Sequence, residues 1–161
     1  MKSLLVVYHS NTGGTRQMAE ALARGAAAEA RVQVLHAAAA GPEEMLAAEG
    51  YALATPETLA AISGPMKDFL DRCYYPLLGR VEGRPYALLV CAGSDGQNAI
   101  RQLQRIATGW RLRAVAEPVL VCTGAQTPEA ILAPKVVPAA ELARCEQLGT
   151  AFAAGLAMGI Y

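Results

Sequence analysis

The sequence predicts an α/β protein in which five parallel strands run in the order 2-1-3-4-5 and helices cover both faces of the sheet. Two observations predict this fold class. Short apolar runs rich in branched residues alternate with longer stretches of helical periodicity, and this strand–helix unit recurs five times without an internal sequence repeat. The 161 residues suffice for one core of ordinary size, so residues 1–161 are expected to form a single domain.

Two of the predicted strands, residues 3–8 and 86–92, are continuous apolar runs, as is typical of strands that are buried on both faces of a parallel sheet. The five predicted strands span residues 3–8, 32–36, 50–54, 86–92 and 114–122. Pro118 lies inside the last run and indicates an edge position or a bulge, because proline has no N–H to donate to the ladder.

The predicted helices follow the strands in turn. In the first, Met18, Ala19 and Leu22 recur at helical spacing and mark a buried stripe. The predicted helices span residues 14–29, 43–48, 65–77, 97–108 and 139–157. The connection at 124–138 is long and contains prolines, so we expect either a lid over a site or a disordered surface loop.

The composition excludes several classes of protein. With 53% hydrophobic and 17% charged residues, the chain is not disordered. Lys+Arg and Asp+Glu are both 14, and a neutral chain without basic clusters is not expected to bind nucleic acid. No apolar run reaches the roughly 18–20 residues that span a bilayer, and the N-terminus lacks a signal-peptide pattern, so we expect a cytoplasmic protein. Four cysteines without a CxxC pair or a histidine cluster predict no metal site.

Aromatic residues near helix ends suggest self-association. Tyr74, Tyr75 and Trp110 lie where helices could pair, and few charges are available to cover the surface. A homo-oligomer is therefore expected, although core positions for the same residues stay open.

Chemistry should lie in the loops that follow strands 1, 3 and 4, because ligands of such sheets bind at the carboxyl ends of the strands beside the switch point. These loops are residues 9–15, 55–62 and 92–98. The first offers three hydroxyls, an amide and two glycines at a helix start, which suits a phosphate group. It contains neither the GK[ST] of nucleotide triphosphate loops nor a GxGxxG, and helix capping by one hydroxyl is the alternative.

These loops resemble those of a known family. Tyr8 to Thr15, followed by Met18, resembles the opening of flavodoxin-like proteins, in which a Ser/Thr-x-Thr-Gly-x-Thr loop holds the FMN phosphate. Residues 55–56 and 64–72 resemble the second flavin loop and helix of flavodoxin-fold NAD(P)H-dependent reductases, including the multimeric Trp-repressor-binding-protein type of quinone oxidoreductase. Residues 92–97 resemble their glycine-rich third loop, more weakly.

The resemblance implies a flavodoxin-like three-layer sandwich with FMN as its cofactor. It implies that the cofactor is bound by Ser10, Asn11, Thr12, Gly13, Gly14, Thr15, Thr55, Pro56, Glu57, Thr58, Leu59, Ala92, Gly93, Ser94, Asp95 and Gly96. No catalytic acid or base is assigned, because the flavin carries out the redox chemistry.

The chain departs from the family in two places. Gly14 stands where the family often has Asn or His, and the second and third loops lack the aromatic residue that usually stacks on the flavin ring. We expect Leu59 to pack on the ring and one face to stay open to a second substrate. His9, beside the first loop, is either an anion donor or a turn residue.

The expected function is an FMN-dependent oxidoreductase that transfers hydride from NAD(P)H, the co-substrate, to a quinone or similar small acceptor. The alternative is a flavodoxin-type electron carrier that docks to partner proteins. Zero net charge argues against the carrier, since such shuttles favour strong acidity for steering. A receiver domain needs acidic residues after strands 1 and 3, where this chain has Ser10 and Thr55, so it is excluded. A scaffold that has lost its flavin stays open.

Overall fold

A parallel sheet forms the middle layer of the protein. The computed structural model describes residues 1–161. The strands in chain order are β1 (Lys2–Tyr8), β2 (Ala30–His36), β3 (Gly50–Thr58), β4 (Ala61–Ile62), β5 (Pro85–Ala92), β6 (Arg113–Ala114) and β7 (Val119–Cys122). Their order across the sheet is β2-β1-β3-β5, and β5 then pairs with β6 near its start and with β7 near its end. Because β6 and β7 together occupy the place of the fifth predicted strand, the predicted order is confirmed.

Helices cover both faces of this sheet and complete a three-layer sandwich. They are α1 (Gly14–Ala26), α2 (Pro42–Ala47), α3 (Gly64–Leu77), α4 (Gln97–Gly109), α5 (Pro128–Leu132) and α6 (Ala139–Met158). Side chains alternate along β1, so that Leu5 and Val7 join the core under α2, α3 and α4, while Leu4 and Val6 join the core under α1 and α6. No helix is both long enough and apolar enough to cross a bilayer.

The pair α1–α6 packs very closely because glycines face each other's backbone. A Cβ atom on Gly25 would lie 2.0 Å from the carbonyl oxygen of Glu146, and one on Gly149 would lie 2.0 Å from that of Leu22. Neither position therefore has room for a side chain, and this contact fixes α6 against the helix that follows the first loop.

The structure differs from the sequence prediction in its strands. The predicted strand 114–122 is broken between Ala114 and Val119, where Pro118 cannot donate to the ladder. The predicted strand 50–54 instead continues to Thr58 and turns back as β4, so residues 55–62 form a hairpin and not an irregular loop.

Two further expectations are corrected outside the sheet. Trp110 is only 4% exposed and packs in the core beneath α4, so it is no surface aromatic, whereas Tyr74 and Tyr75 are exposed on α3. Within 124–138, the second of the two alternatives, a disordered loop, is wrong, because the segment contains the short helix α5: Thr127 caps it by accepting a hydrogen bond from the Ala130 N–H, and Pro128 fits its first turn.

Candidate functional site

The loops that follow β1, β3 and β5 meet at the carboxyl edge of the sheet and enclose a cavity of about 530 Å³. This volume lies in the range of sites for small molecules and cofactors. Part of the wall comes from a segment beyond the three loops, at Thr123, Ala125, Ile131, Leu132 and Lys135. None of the lining residues is aromatic.

The first loop presents unpaired hydrogen-bond donors to the cavity. Gly13 begins α1 with a φ of +96°, a conformation that favours glycine, and no side chain caps the helix. The backbone N–H groups of Gly14, Thr15 and Arg16 therefore have no acceptor within the protein. Ser10 accepts a hydrogen bond from the Gly13 N–H at 3.1 Å, which tightens the turn.

A threonine hydroxyl at this helix start is also unsatisfied. Thr15 lines the cavity, is only 1% exposed, and its Oγ1 has no hydrogen-bond partner. A buried hydroxyl without a partner is unfavourable, so a ligand oxygen that reached it would relieve that cost. Together with the free amides and the positive end of α1, it fits an anionic oxygen group such as a phosphate.

Gly14 is required by its surroundings as well. A Cβ atom there would lie 2.7 Å from the Sγ of Cys91 and 3.5 Å from the Cβ of Lys135. The departure from the family pattern at this position therefore follows from close packing of the helix start on β5 and on the 124–138 segment. Cys91 is buried, and burial raises the pKa of its thiol.

The second loop is a tight hairpin, and Leu59 stands at its tip. Leu59 and Ala60 have φ values of +50° and +62°, which are costly for residues other than glycine. The turn is held by α4: the Asn98 side chain donates to the Ala60 carbonyl at 2.6 Å, and Gln102 accepts from the Ile62 N–H at 2.8 Å. Leu59 lines the cavity and is 97% exposed.

The other residues of the second loop lie either in the wall of the cavity or in the buried interior. Pro56, Glu57 and Thr58 line the cavity, and Glu57 has one buried carboxylate oxygen, Oε2, without a partner. That oxygen can accept a hydrogen bond from a ligand N–H or O–H. Thr55 is fully buried instead: its hydroxyl donates to the Pro56 carbonyl and accepts from the Ser63 N–H.

The third loop places two of its five predicted cofactor residues in the cavity lining. Ala92 and Gly93 line the cavity, whereas Ser94, Asp95 and Gly96 lie outside its lining. Asp95 accepts a hydrogen bond from the Gln97 N–H at 3.2 Å, and Gly96 begins α4 with a φ of +78°. These residues shape the turn into α4.

The segment for which a lid over the site was one of two expectations completes the wall, although none of its residues was predicted to bind the cofactor. We call residues 124–135 the strap. At one end the Gly124 N–H donates to the Gly93 carbonyl, and at the other the Lys135 N–H donates to the Thr12 carbonyl, both at 2.8 Å. Gln17 reinforces the second end by donating to the carbonyls of Gly13 and Lys135. The length and prolines of 124–138 were the only sequence signal for it.

His9 lies behind the loops and does not line the cavity. Its Nδ1 lies 2.9 Å from the Ser63 hydroxyl, and its ring meets that of His36 edge to face at 5.4 Å. Burial, with a smaller contribution from His36, lowers the pKa of His9. His9 therefore ties the end of β1 to the start of α3.

Comparison with known proteins agrees with this geometry. The sequence model of a family described as NADPH-dependent FMN reductase matches residues 36–126, more than half of the chain. A flavodoxin from Aquifex aeolicus (strain VF5) is 34% identical over 97 residues, which are 59% of this chain and 50% of that protein. The match thus spans about half the length of this curated relative.

Solved structures share the fold over nearly the whole chain. A flavodoxin from the domain Archaea superposes with a TM-score of 0.78 at 23% identity, covering 96% of this chain and 98% of that one. A WrbA-like flavodoxin from Agrobacterium tumefaciens gives a TM-score of 0.79 at 19% identity, covering 99% of each chain.

The cavity fits the cofactor of this family. It offers unpaired amides and a buried free hydroxyl for a phosphate, and an apolar hairpin tip beside them for a ring. FMN is accordingly the cofactor of this protein. The chain belongs to the NADPH-dependent FMN reductase family and has the flavodoxin-like fold.

Proposed function

We propose that the protein is an FMN-dependent oxidoreductase that takes hydride from NAD(P)H and passes electrons to a quinone or a similar small acceptor. The observation that carries the proposal is the hairpin tip. Where a stacking aromatic residue would cover the flavin, the cavity has Leu59, which is 97% exposed, and no aromatic lining at all. A nicotinamide ring needs such an uncovered face in order to approach the flavin.

The first loop would hold the FMN phosphate. The N–H groups of Gly14, Thr15 and Arg16 and the Thr15 hydroxyl are free to donate to phosphate oxygens. Ser10, Asn11 and Thr12 line the same cavity, and Gly13 provides the turn. These donors replace water around the anion and fix its position relative to the second and third loops.

The other two loops would hold the ring. Pro56, Thr58 and Leu59 supply its apolar contacts, and Glu57 accepts a hydrogen bond from a ring N–H. Ala92 and Gly93 approach it with their backbone. The remaining predicted cofactor residues, Thr55, Ser94, Asp95 and Gly96, act indirectly by shaping the hairpin and the turn into α4.

FMN, when bound, supplies the hydride acceptance and the onward electron transfer. The chain supplies binding and orientation. Because a leucine side chain covers less of a ring than an aromatic one, the hairpin leaves room for the nicotinamide while excluding part of the water from that face.

We also propose that residues 1–161 act as one domain and associate through the exposed Tyr74 and Tyr75, which light scattering would test.

The test is anaerobic rapid mixing of the FMN-loaded protein with NADPH or NADH, with and without benzoquinone. Loss of flavin absorbance, and its recovery on adding the quinone, is expected. In Leu59→Trp, FMN should bind more tightly and the hydride transfer should slow, since the open face becomes covered. Leu78→Trp, at an exposed leucine that follows the last residue of α3 outside the cavity, is the matched control and should change neither quantity.

The second candidate is an electron carrier without direct NAD(P)H oxidation, which the likeness to flavodoxins favours. It predicts no loss of flavin absorbance with either nicotinamide, while a chemical reductant still bleaches the flavin. That result would replace the oxidoreductase by the carrier.

A further inference from the structure

We propose that α5 forms a second, aliphatic wall of the flavin site, in which Ile131 and Leu132 pack against the ring. The proposal rests on the proposed function only in taking the cavity as the FMN site. It assigns a role to residues outside the three loops and explains how a cavity without aromatic residues retains a flat apolar ring.

The first argument is the exposure of these side chains. Ile131 is 52% exposed and Leu132 is 77% exposed, and both line the cavity. Neither contributes to the cores on the two faces of the sheet. Two adjacent aliphatic residues that face a cavity and stabilise no core are costly in water, and a ring that covered them would recover that free energy.

The second argument is that the strap is fixed at both ends to the loops of the site. Gly124 is hydrogen bonded to Gly93 of the third loop, and Lys135 to Thr12 of the first. The chain between them therefore passes along the cavity from the ring end to the phosphate end, and α5 lies in the middle of that path.

The third argument is the rigidity of α5, which has only five residues. Its last carbonyls would be unsatisfied, but the Lys135 ammonium accounts for three of them by donating to Ala130, Ile131 and Ala133 at 2.6–2.8 Å. This places a cation at the helix C-terminus, where it is favourable. Ile131 and Leu132 are thus presented by a capped turn and not by a loose loop.

The wall and the hairpin have different roles. Leu59 at the hairpin tip is 97% exposed, whereas Ile131 and Leu132 are 52% and 77% exposed, and the strap that carries them is hydrogen bonded to the first and third loops. The nicotinamide would therefore approach at the more exposed hairpin tip, and α5 would support the ring.

The experiment compares FMN with lumiflavin, which has the ring but neither the ribityl chain nor the phosphate. Ile131→Ala/Leu132→Ala should raise the dissociation constants of both ligands by the same factor, about tenfold, because only ring contacts are lost. Thr15→Val should raise that of FMN alone. Val136→Ala is the control: Val136 is an apolar residue next to the strap, 88% exposed and outside the cavity lining, so neither constant should change.

A second variant tests the position of α5 directly, through tryptophan fluorescence. Leu132→Trp should show fluorescence that FMN quenches strongly on binding, and Val136→Trp should be quenched less. Unchanged lumiflavin affinity in the double alanine variant, or equal quenching at the two positions, would overturn the aliphatic wall. Absence of FMN binding to the unmodified protein would instead overturn the proposed function, so the two failures are distinguishable.

Discussion

Replacing Thr15 with valine is expected to stabilise the cofactor-free protein and, at the same time, to weaken FMN binding. The Thr15 Oγ1 is buried and unpaired, and valine has the same shape without the hydroxyl. Removing an unsatisfied buried hydroxyl should raise the free energy of unfolding by about 1 kcal/mol, or the melting temperature by ~2–4 °C. A hydrogen bond to a charged phosphate is worth about 1.5–3 kcal/mol, so the FMN dissociation constant should rise about tenfold to a hundredfold.

The two effects are measured separately, by urea unfolding of the cofactor-free protein and by titration of the flavin fluorescence. Lumiflavin affinity should not change, because lumiflavin has no phosphate. Thr108→Val is the control, since that hydroxyl is exposed on α4 and already donates to the Gln104 carbonyl. If Thr15→Val destabilised the free protein, or left FMN affinity intact, the assignment of the free hydroxyl to the phosphate would be refuted.

Three other changes test the fold. Gly149→Ala should destabilise the protein by about 2–3 kcal/mol, because its Cβ would meet the Leu22 carbonyl, whereas Gly109→Ala, with open space around it, should be neutral or slightly stabilising in urea unfolding. Ala60→Gly should raise the urea midpoint by relieving a left-handed backbone, which costs roughly 1–2 kcal/mol for residues other than glycine; an unchanged midpoint would mean that the turn is unstrained. Burial lowers the pKa of His9 in the folded protein, so the unfolded chain binds the His9 proton more readily. The free energy of unfolding should therefore fall as the pH drops below about 6.5. In His9→Gln this fall should be smaller, and an identical pH profile would contradict the argument.

The strands and the helices between them could be predicted because short stretches of the sequence indicate each of them. Runs such as residues 86–92 are apolar throughout, and the helices between them have clear periodicity, so strand order followed from general rules of parallel sheets. The hairpin was not predictable, because Leu59 and Ala60 occupy a turn that normally uses Asn or Gly. The turn is held by hydrogen bonds with Asn98 and Gln102, about forty residues further along the chain, and such distant contacts leave no signal in the local sequence.

The candidate site likewise has one part that the sequence predicts and another part that only the tertiary structure reveals. Hydroxyls and glycines in a helix start indicate an anion site from composition alone, and the structure places Ser10, Asn11, Thr12, Gly14 and Thr15 around one cavity. Ile131 and Leu132 carry no such chemical signal. Their place in the wall depends on where the strap is fastened, which is a property of the tertiary structure.

The fastening of the strap also sets an order of events during synthesis. The first loop leaves the ribosome early, yet Gln17 reaches its hydrogen-bond partner in Lys135 only after another 118 residues have been made. At about 5–20 residues per second, this separation amounts to many seconds. The nascent chain therefore exposes an incomplete first loop for most of its translation, and the wall of the cavity is completed only once Lys135 has emerged and docked.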